Sequence, residues 1–150
     1  MKAQARFSAM PSLLVAALSL SGGLAQERVP PAIRLFDLTT AHSIVGEKPF
    51  QPASVFGPDE DAVYLWYAAE GCAIGTAIQS VWFYLETDPP YRLADASVVV
   101  DRPGAWGQFN FTLAPGRRWA IGRYHVELRV GGVLIAETYF SVTAMTEAQQ

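Results

Sequence analysis

The chain has 150 residues, a formal net charge of −3 and a hydrophobic content of 51%. Its mildly acidic balance offers no electrostatic footprint for nucleic acid or for anionic lipid, both of which attract basic proteins. The length suits one domain with a core that needs no disulfide, and the single cysteine excludes an intrachain disulfide.

The first 25 residues have the pattern of a cleavable signal peptide. Lys2 and Arg6 give a positive start, an apolar stretch covers about residues 13–20, and small residues precede a cut after Ala25. The stretch is shorter than the roughly 20 residues that a membrane-spanning helix needs. We therefore predict a periplasmic or secreted protein without a membrane span, with a retained N-terminal anchor as the alternative. Cleavage would lower the net charge by two units, from −3 to −5.

Behind this leader the sequence predicts three segments: a flexible lead-in at 26–31, one β-domain at 32–143 and a disordered tail at 144–150. Two adjacent prolines in the lead-in oppose helix. In the β-domain, the first strand is predicted at 32–39, with a short continuation at 43–45 after a bend.

The next part of the β-domain alternates between turn residues and strand patterns. Three prolines within 47–60 predict a loop that ends in the acidic run FGPDED. A strand is predicted at 62–67, with bulky residues on both faces, and a connection at 68–75. The later strands are predicted at 94–100 and 108–113, the second with a regular alternation of apolar and polar residues.

Residues 76–86 fit two interpretations. A helical stripe is formed by Ile78, Val81, Trp82 and Leu85, and Thr76 with Gln79 could make a capping box. The segment is also rich in β-branched and aromatic residues, and predicted strands flank it. We predict a strand, with a helix as the alternative.

The last third of the chain predicts a β-hairpin. From Arg123 to Val130, apolar and charged residues alternate with the period of a strand that has one face in the core. Gly131 and Gly132 suit the tight turn, and a second strand follows up to Val142. With about seven strands separated by glycine and proline turns, we predict an all-β, antiparallel sandwich of two sheets.

The residues of this hairpin also resemble a known family. The pattern resembles the closing hairpin of bacterial extracytoplasmic immunoglobulin-like domains, and it consists of Trp119, Gly122, Tyr124, Val126, Leu128, Phe140 and Val142. Trp82 is similar to the inward tryptophan of their strand C, and Tyr124 to a tyrosine corner. Val126 stands where antibody domains have their second cysteine, and Cys72 falls in a predicted loop. The resemblance implies an immunoglobulin-like β-sandwich without the antibody disulfide, in a family of adhesive, spacer, assembly or inhibitory modules.

Candidate catalytic and metal-binding groups are sparse. His42 falls in a predicted bend and His125 on the charged face of a strand, and neither is accompanied by a nucleophile motif. Asp59 and Asp61 could offer oxygen ligands to calcium, but the spacing matches no EF-hand loop, so this question stays open. We predict no catalytic residues, no cofactor, no metal and no enzyme activity. A small hydrolase or metal-dependent enzyme, with a histidine bonded to a carboxylate in a pocket, is the remaining enzyme hypothesis.

The aromatic residues suggest a contact surface instead. Trp66, Tyr91 and Trp106 are less easily placed in a core than the other large aromatics, so we predict that they form it. The predicted function is a non-catalytic binding or structural module that engages another extracytoplasmic protein, through loops, an aromatic patch or a free sheet edge. A glycan is the alternative partner. Cys72 lacks basic neighbours in sequence and is predicted to be an inert, partly buried thiol, with a bond to another chain left open.

Overall fold

The computed structural model describes the backbone of residues 2–8 and the full residues of 32–101 and 104–144. Most of the predicted leader, the predicted lead-in at 26–31 and positions 145–150 of the predicted tail lie outside the described residues. Within these ranges no helix is long and apolar enough to cross a membrane.

The described residues form ten strands and no helix. In chain order they are β1 (Lys2–Ser8), β2 (Arg34–Val45), β3 (Lys48–Pro52), β4 (Val55–Phe56), β5 (Ala62–Glu70), β6 (Ala77–Tyr84), β7 (Tyr91–Val99), β8 (Trp106–Thr112), β9 (Gly122–Val130) and β10 (Val133–Val142). One sheet has the order β1-β8-β5-β2-β3 and the other the order β4-β10-β9-β6-β7. All neighbours are antiparallel except β4 and β10. The predicted all-β sandwich is confirmed.

The core lies between the two sheets and is filled by alternate residues of the central strands. Trp82 on β6 is fully buried, and Trp119 belongs to the same core cluster. From the facing sheet, Phe109 and Phe111 of β8 complete the aromatic centre, with the rings of Trp82 and Phe111 5.7 Å apart. The alternation predicted for β8 and β9 therefore sets which side chains enter the core.

The structure has more strands than the seven or so that the sequence predicts. The predicted loop at 47–60 is wrong in part, because it contains β3 and β4. Strand β3 lies at a sheet edge, where Pro49 and Pro52 are tolerated since an edge strand needs only half of its backbone hydrogen bonds.

The first long strand differs from its prediction as well. Strand β2 is continuous from Arg34 to Val45, and its pairing with β5 shifts between Phe36 and Thr39. Asp37 has a positive φ of 52° at this irregularity. The expected bend near residues 40–42 therefore lies several residues earlier, at a position where an aspartate can take the left-handed conformation.

The ambiguous segment at 76–86 is a strand, as predicted. β6 lies at the centre of its sheet between β7 and β9, and its neighbours supply the backbone hydrogen bonds that a helix would make internally. Ser80 is buried on this strand and accepts a hydrogen bond from Trp82 Nε1 at 3.1 Å, so the indole is satisfied inside the core.

The closing hairpin and the tyrosine corner are confirmed. Gly131 and Gly132 join β9 to β10 with φ values of 58° and 79°, which a residue with a side chain rarely adopts. The Tyr124 hydroxyl donates to the Ala120 carbonyl at 2.7 Å, four residues upstream. Together with the two-sheet order, these features define an immunoglobulin-like β-sandwich.

Candidate binding edge

Residues 2–8, which fall within the predicted leader, complete one sheet in this structure. The seven residues of β1 pair antiparallel with all seven residues of β8, from Lys2 opposite Thr112 to Ser8 opposite Trp106. Strand β1 also lies against β7, the edge strand of the other sheet. Cleavage of the leader stays a prediction. If it occurs, it removes the strand that covers β8.

The sequence of β8 lacks the features that usually protect a sheet edge. The strand reads WGQFNFT, with no charged residue and no proline. By contrast, β3 carries two prolines and β4 has only two residues. Strand β7 carries the exposed ion pair Arg92–Asp95. Charges, prolines and short length are the common means by which proteins blunt an edge, so β8 has the character of an internal strand.

Two of the three predicted contact residues lie together beside this edge. Trp66 on β5 and Trp106 on β8 are stacked, with ring centroids 6.5 Å apart and an angle of 17° between the planes. Gly107 faces the core residue Tyr67, so Trp106, one position earlier, lies on the outer face of the sheet. Tyr91 begins β7 in the other sheet, so the structure does not bring it to this pair.

The exposure of these three rings differs. Tyr91 is 58% exposed, Trp66 is half-buried and donates from Nε1 to the Glu47 carbonyl at 3.0 Å, and Trp106 is 8% exposed. The Trp106 Nε1 group is buried and has no hydrogen-bond partner in the part of the chain that the structure describes. The contact surface stays a prediction, and its rings do not form a single three-membered platform for a sugar.

A cavity of about 320 Å³ lies between the sheets at the Thr112 end of β8. Phe111 and Leu113 line it from one sheet, and Tyr84 and Leu93 line it from the other. Its remaining walls come from the connection between β8 and β9, namely Ala114, Arg117, Arg118, Trp119 and Ala120, together with Tyr124. The cavity is mainly apolar and adjoins the edge that β1 covers.

A second, more open cleft contains His42 and the acidic run. His42 lies in strand β2, not in a bend, and its Nδ1 is 2.8 Å from Glu60 Oε1. Phe56 packs edge-on against the imidazole, and the Glu60 carbonyl accepts a hydrogen bond from Trp119 Nε1 at 2.8 Å. The geometry that the enzyme hypothesis requires, a histidine bonded to a carboxylate in a pocket, is therefore present. Thr143 is the sole hydroxyl among the described lining residues, and it belongs to no hydrogen-bonded triad with this pair.

The two candidate calcium ligands differ in their surroundings. Both oxygens of Asp59 accept from Arg118, at 2.7 Å and 3.3 Å. Asp61 is exposed and directly precedes β5. Because the Arg118 guanidinium already pairs with Asp59, the arrangement of Asp59 and Asp61 does not favour calcium binding.

His125 is not exposed, contrary to its prediction. Its side chain is only 12% exposed, although it lies on the outer face of β9. The imidazole stacks on Tyr139 at 4.4 Å and on Phe83 at 5.9 Å, and Nε2 is 2.8 Å from Glu137 Oε2.

His125 also belongs to a group of potential metal ligands. Donor atoms of His125, Glu127 and Glu137 lie within 4.8 Å of one another. Arg129 contacts Glu127 Oε2 at 2.6 Å, so a guanidinium already neutralises this carboxylate. The cluster is a charge-paired, aromatic-lined polar group on the sheet face.

Cys72 lies in the connection after β5 and is partly buried. Burial raises the pKa of its thiol above the ordinary value of 9.0. Since the thiolate is the reactive form, this environment disfavours nucleophilic chemistry. The partly buried position agrees with the prediction, and the inertness of the thiol stays a prediction.

No protein-family model and no curated protein sequence matches the chain. Among solved structures, an immunoglobulin-like protein from Pseudomonas aeruginosa superposes with a TM-score of 0.54 at 16% identity, over 77% of this chain and 100% of that one. The alkylpurine DNA glycosylase AlkC from Pseudomonas fluorescens, bound to DNA with an abasic site analog, matches with a TM-score of 0.44 at 15% identity, over 75% of this chain. This chain spans 30% of that glycosylase. Identities this low show the fold alone, and the fold is immunoglobulin-like.

The sequence by itself does not predict that β8 is a candidate edge. Its alternation identified β8 as a strand, but strand order is a tertiary property that periodicity does not contain. One signal was available: an uncharged strand without proline is typical of a sheet interior, and such a strand at an edge needs a cover.

Proposed function

We propose that the mature protein is a non-catalytic, extracytoplasmic binding module that accepts an extended strand of a protein partner at β8. The observation that carries this proposal is the pairing of Lys2–Ser8 with β8 along its whole length. This segment belongs to a stretch that has the pattern of a removable leader. After export, the backbone groups of β8 that face β1 would need a new partner. Strand addition supplies such hydrogen bonds directly.

The edge favours a single extended segment over a second copy of the domain. Strand β1 lies both beside β8 and against β7 of the other sheet, so an added strand closes the side of the sandwich. A second copy would bring its own β7 to the same place, where it would compete with the β7 already there. We therefore assign this edge to a single partner strand, whose backbone groups would pair with those of β8 in place of β1.

The chemistry of the edge defines the partner's side chains. Opposite residues of an antiparallel pair share a face. In an added strand, positions opposite Phe109 and Phe111 would therefore face the sandwich interior. A partner with small or apolar residues at every second position fits this pattern.

The test uses the protein exported by a bacterium from the full gene and purified from the periplasm. Intact mass defines its N-terminus, and sedimentation defines its oligomeric state. An acetylated peptide of sequence KAQARFS, which is the segment that already fits, is then added. We expect a monomer that starts at Gln26, and peptide-dependent protection of the amides at 106–112 from hydrogen exchange.

Matched variants separate edge pairing from general adhesion. Gln108→Lys with Thr112→Lys adds the charges with which natural edges repel strands, and we expect it to abolish the protection. Val133→Lys adds one charge at an exposed site on β10, which lies on the far side of its sheet from β7. It should leave the protection of residues 106–112 unchanged. An exported chain that retains residues 2–8, a dimer already protected at 106–112, or protection elsewhere would each overturn the proposal.

A further inference from the structure

We infer that the partner strand inserts a bulky apolar side chain into the cavity between the sheets, at the Thr112 end of β8. This inference rests on the proposed function, since it needs a strand at β8. It names the position in that strand on which selectivity depends.

The register of β1 identifies the position. Lys2 lies opposite Thr112, so the residue one place before it in an added strand comes opposite Leu113. Leu113 follows Phe109 and Phe111 at intervals of two residues, and like them it faces the interior. Because opposite residues share a face, the side chain at this position also points between the sheets.

The cavity lies where that side chain would point. Leu113 and Phe111 line its near side, and Leu93 on β7 and Tyr84 on β6 line its far side. At about 320 Å³, with a mainly apolar lining, the space accepts a leucine or a phenylalanine. The partner's backbone therefore binds along β8, and one side chain supplies selectivity, a division of roles common to strand-addition sites.

The charge at the cavity mouth sets a condition on the partner. Arg118 is engaged by Asp59, whereas Arg117 is exposed and makes no ion pair with any described residue. A positively charged chain terminus beside Arg117 would be repelled. The recognised residue should therefore lie within a chain, or carry a neutral or acidic neighbour.

Acetylated peptides XKAQARFS, with alanine, leucine or phenylalanine at X, test the inference on the exported protein by calorimetry. Burial of a large apolar side chain should make the leucine and phenylalanine peptides bind about ten- to a hundredfold more tightly than the alanine peptide. Equal affinities, with protection at 106–112 retained, overturn the cavity inference and leave strand addition standing. Absence of binding by all three peptides overturns both.

A protein variant gives an independent check. Leu93→Trp fills the cavity from β7. The leucine and phenylalanine peptides should then bind only as tightly as the alanine peptide, whose own affinity should not change. Leu134→Trp adds the same indole at a half-exposed site on β10 and should preserve the preference. Selectivity that survives Leu93→Trp, in a variant with native circular dichroism, overturns the inference. The peptide series decides by itself if Leu93→Trp does not fold.

Discussion

The ring of Tyr67 occupies the space where Gly107 would carry a side chain. The two residues are opposite each other on β5 and β8, and a Cβ built on Gly107 would lie 2.5 Å from Tyr67 Cζ and still nearer to the hydroxyl. This close approach keeps a large aromatic ring inside the sandwich at the candidate edge. Glycine is required at position 107 by packing, since its φ is not in the left-handed region.

Gly107→Ala should therefore destabilise the fold by about 2 kcal/mol, because overpacking a dense core usually costs 1–3 kcal/mol. Urea denaturation measures the change in the free energy of unfolding. Gly116→Ala is unsuitable as a control because of its positive φ, whereas Val133→Ile also adds one carbon, at an exposed position, and should leave stability nearly unchanged. A Gly107→Ala chain as stable as the parent would show that Tyr67 moves freely.

Tyr67→Phe should leave stability unchanged or raise it by up to about 1 kcal/mol. The Tyr67 hydroxyl is buried and has no hydrogen-bond partner in the described part of the chain, so its removal ends a desolvation cost. Tyr124→Phe serves as the contrast, because it breaks the bond to the Ala120 carbonyl and should cost about 1 kcal/mol. A large loss of stability in Tyr67→Phe would reveal a partner for this hydroxyl.

Stability should fall as the pH rises above 10. Burial, followed by the nearby Tyr84, raises the pKa of Tyr124 from 10.0 to about 12, and burial raises that of Tyr67 further. The unfolded chain therefore loses these protons at lower pH than the folded chain does. As a result, the free energy of unfolding decreases between pH 10 and 12, whereas below pH 10 these groups do not affect it. Thermal melts across this range check the direction, and Tyr67→Phe should flatten the slope.

Calcium should not stabilise the protein. Asp59 is held by Arg118, so millimolar calcium should shift the melting temperature by less than about 1 °C, since only ligands that bind the folded state raise it. A magnesium titration is the control for ionic strength. A calcium-specific rise that Asp61→Asn removes would restore the calcium interpretation.

His125→Ala should lower the free energy of unfolding by about 2 kcal/mol, because it removes two ring stackings and the bond to Glu137. Chemical denaturation provides the measurement. Tyr91→Ala, at an exposed ring in the same sheet, should cost far less. Equal effects of the two substitutions would contradict the largely covered setting of His125.

Local patterns in the sequence determined the fold class. The two-residue alternation in β8 and β9 and the Gly131–Gly132 turn are each decided by neighbours along the chain. For the same reason Tyr124 could be identified as a tyrosine corner, since its hydroxyl bonds only four residues upstream.

The tertiary structure decided which strands lie at edges and which polar groups are buried. The pattern places His125 on the charged face of β9, yet its side chain is only 12% exposed. Phe83 covers it from β6, a strand distant in sequence, and the register of the β9–β10 hairpin sets Tyr139 opposite it. Likewise, only strand order places β8 beside residues 2–8 and next to the cavity. Periodicity specifies which face of a strand is apolar. The identity of the strand alongside depends on contacts between distant residues, which no local pattern encodes.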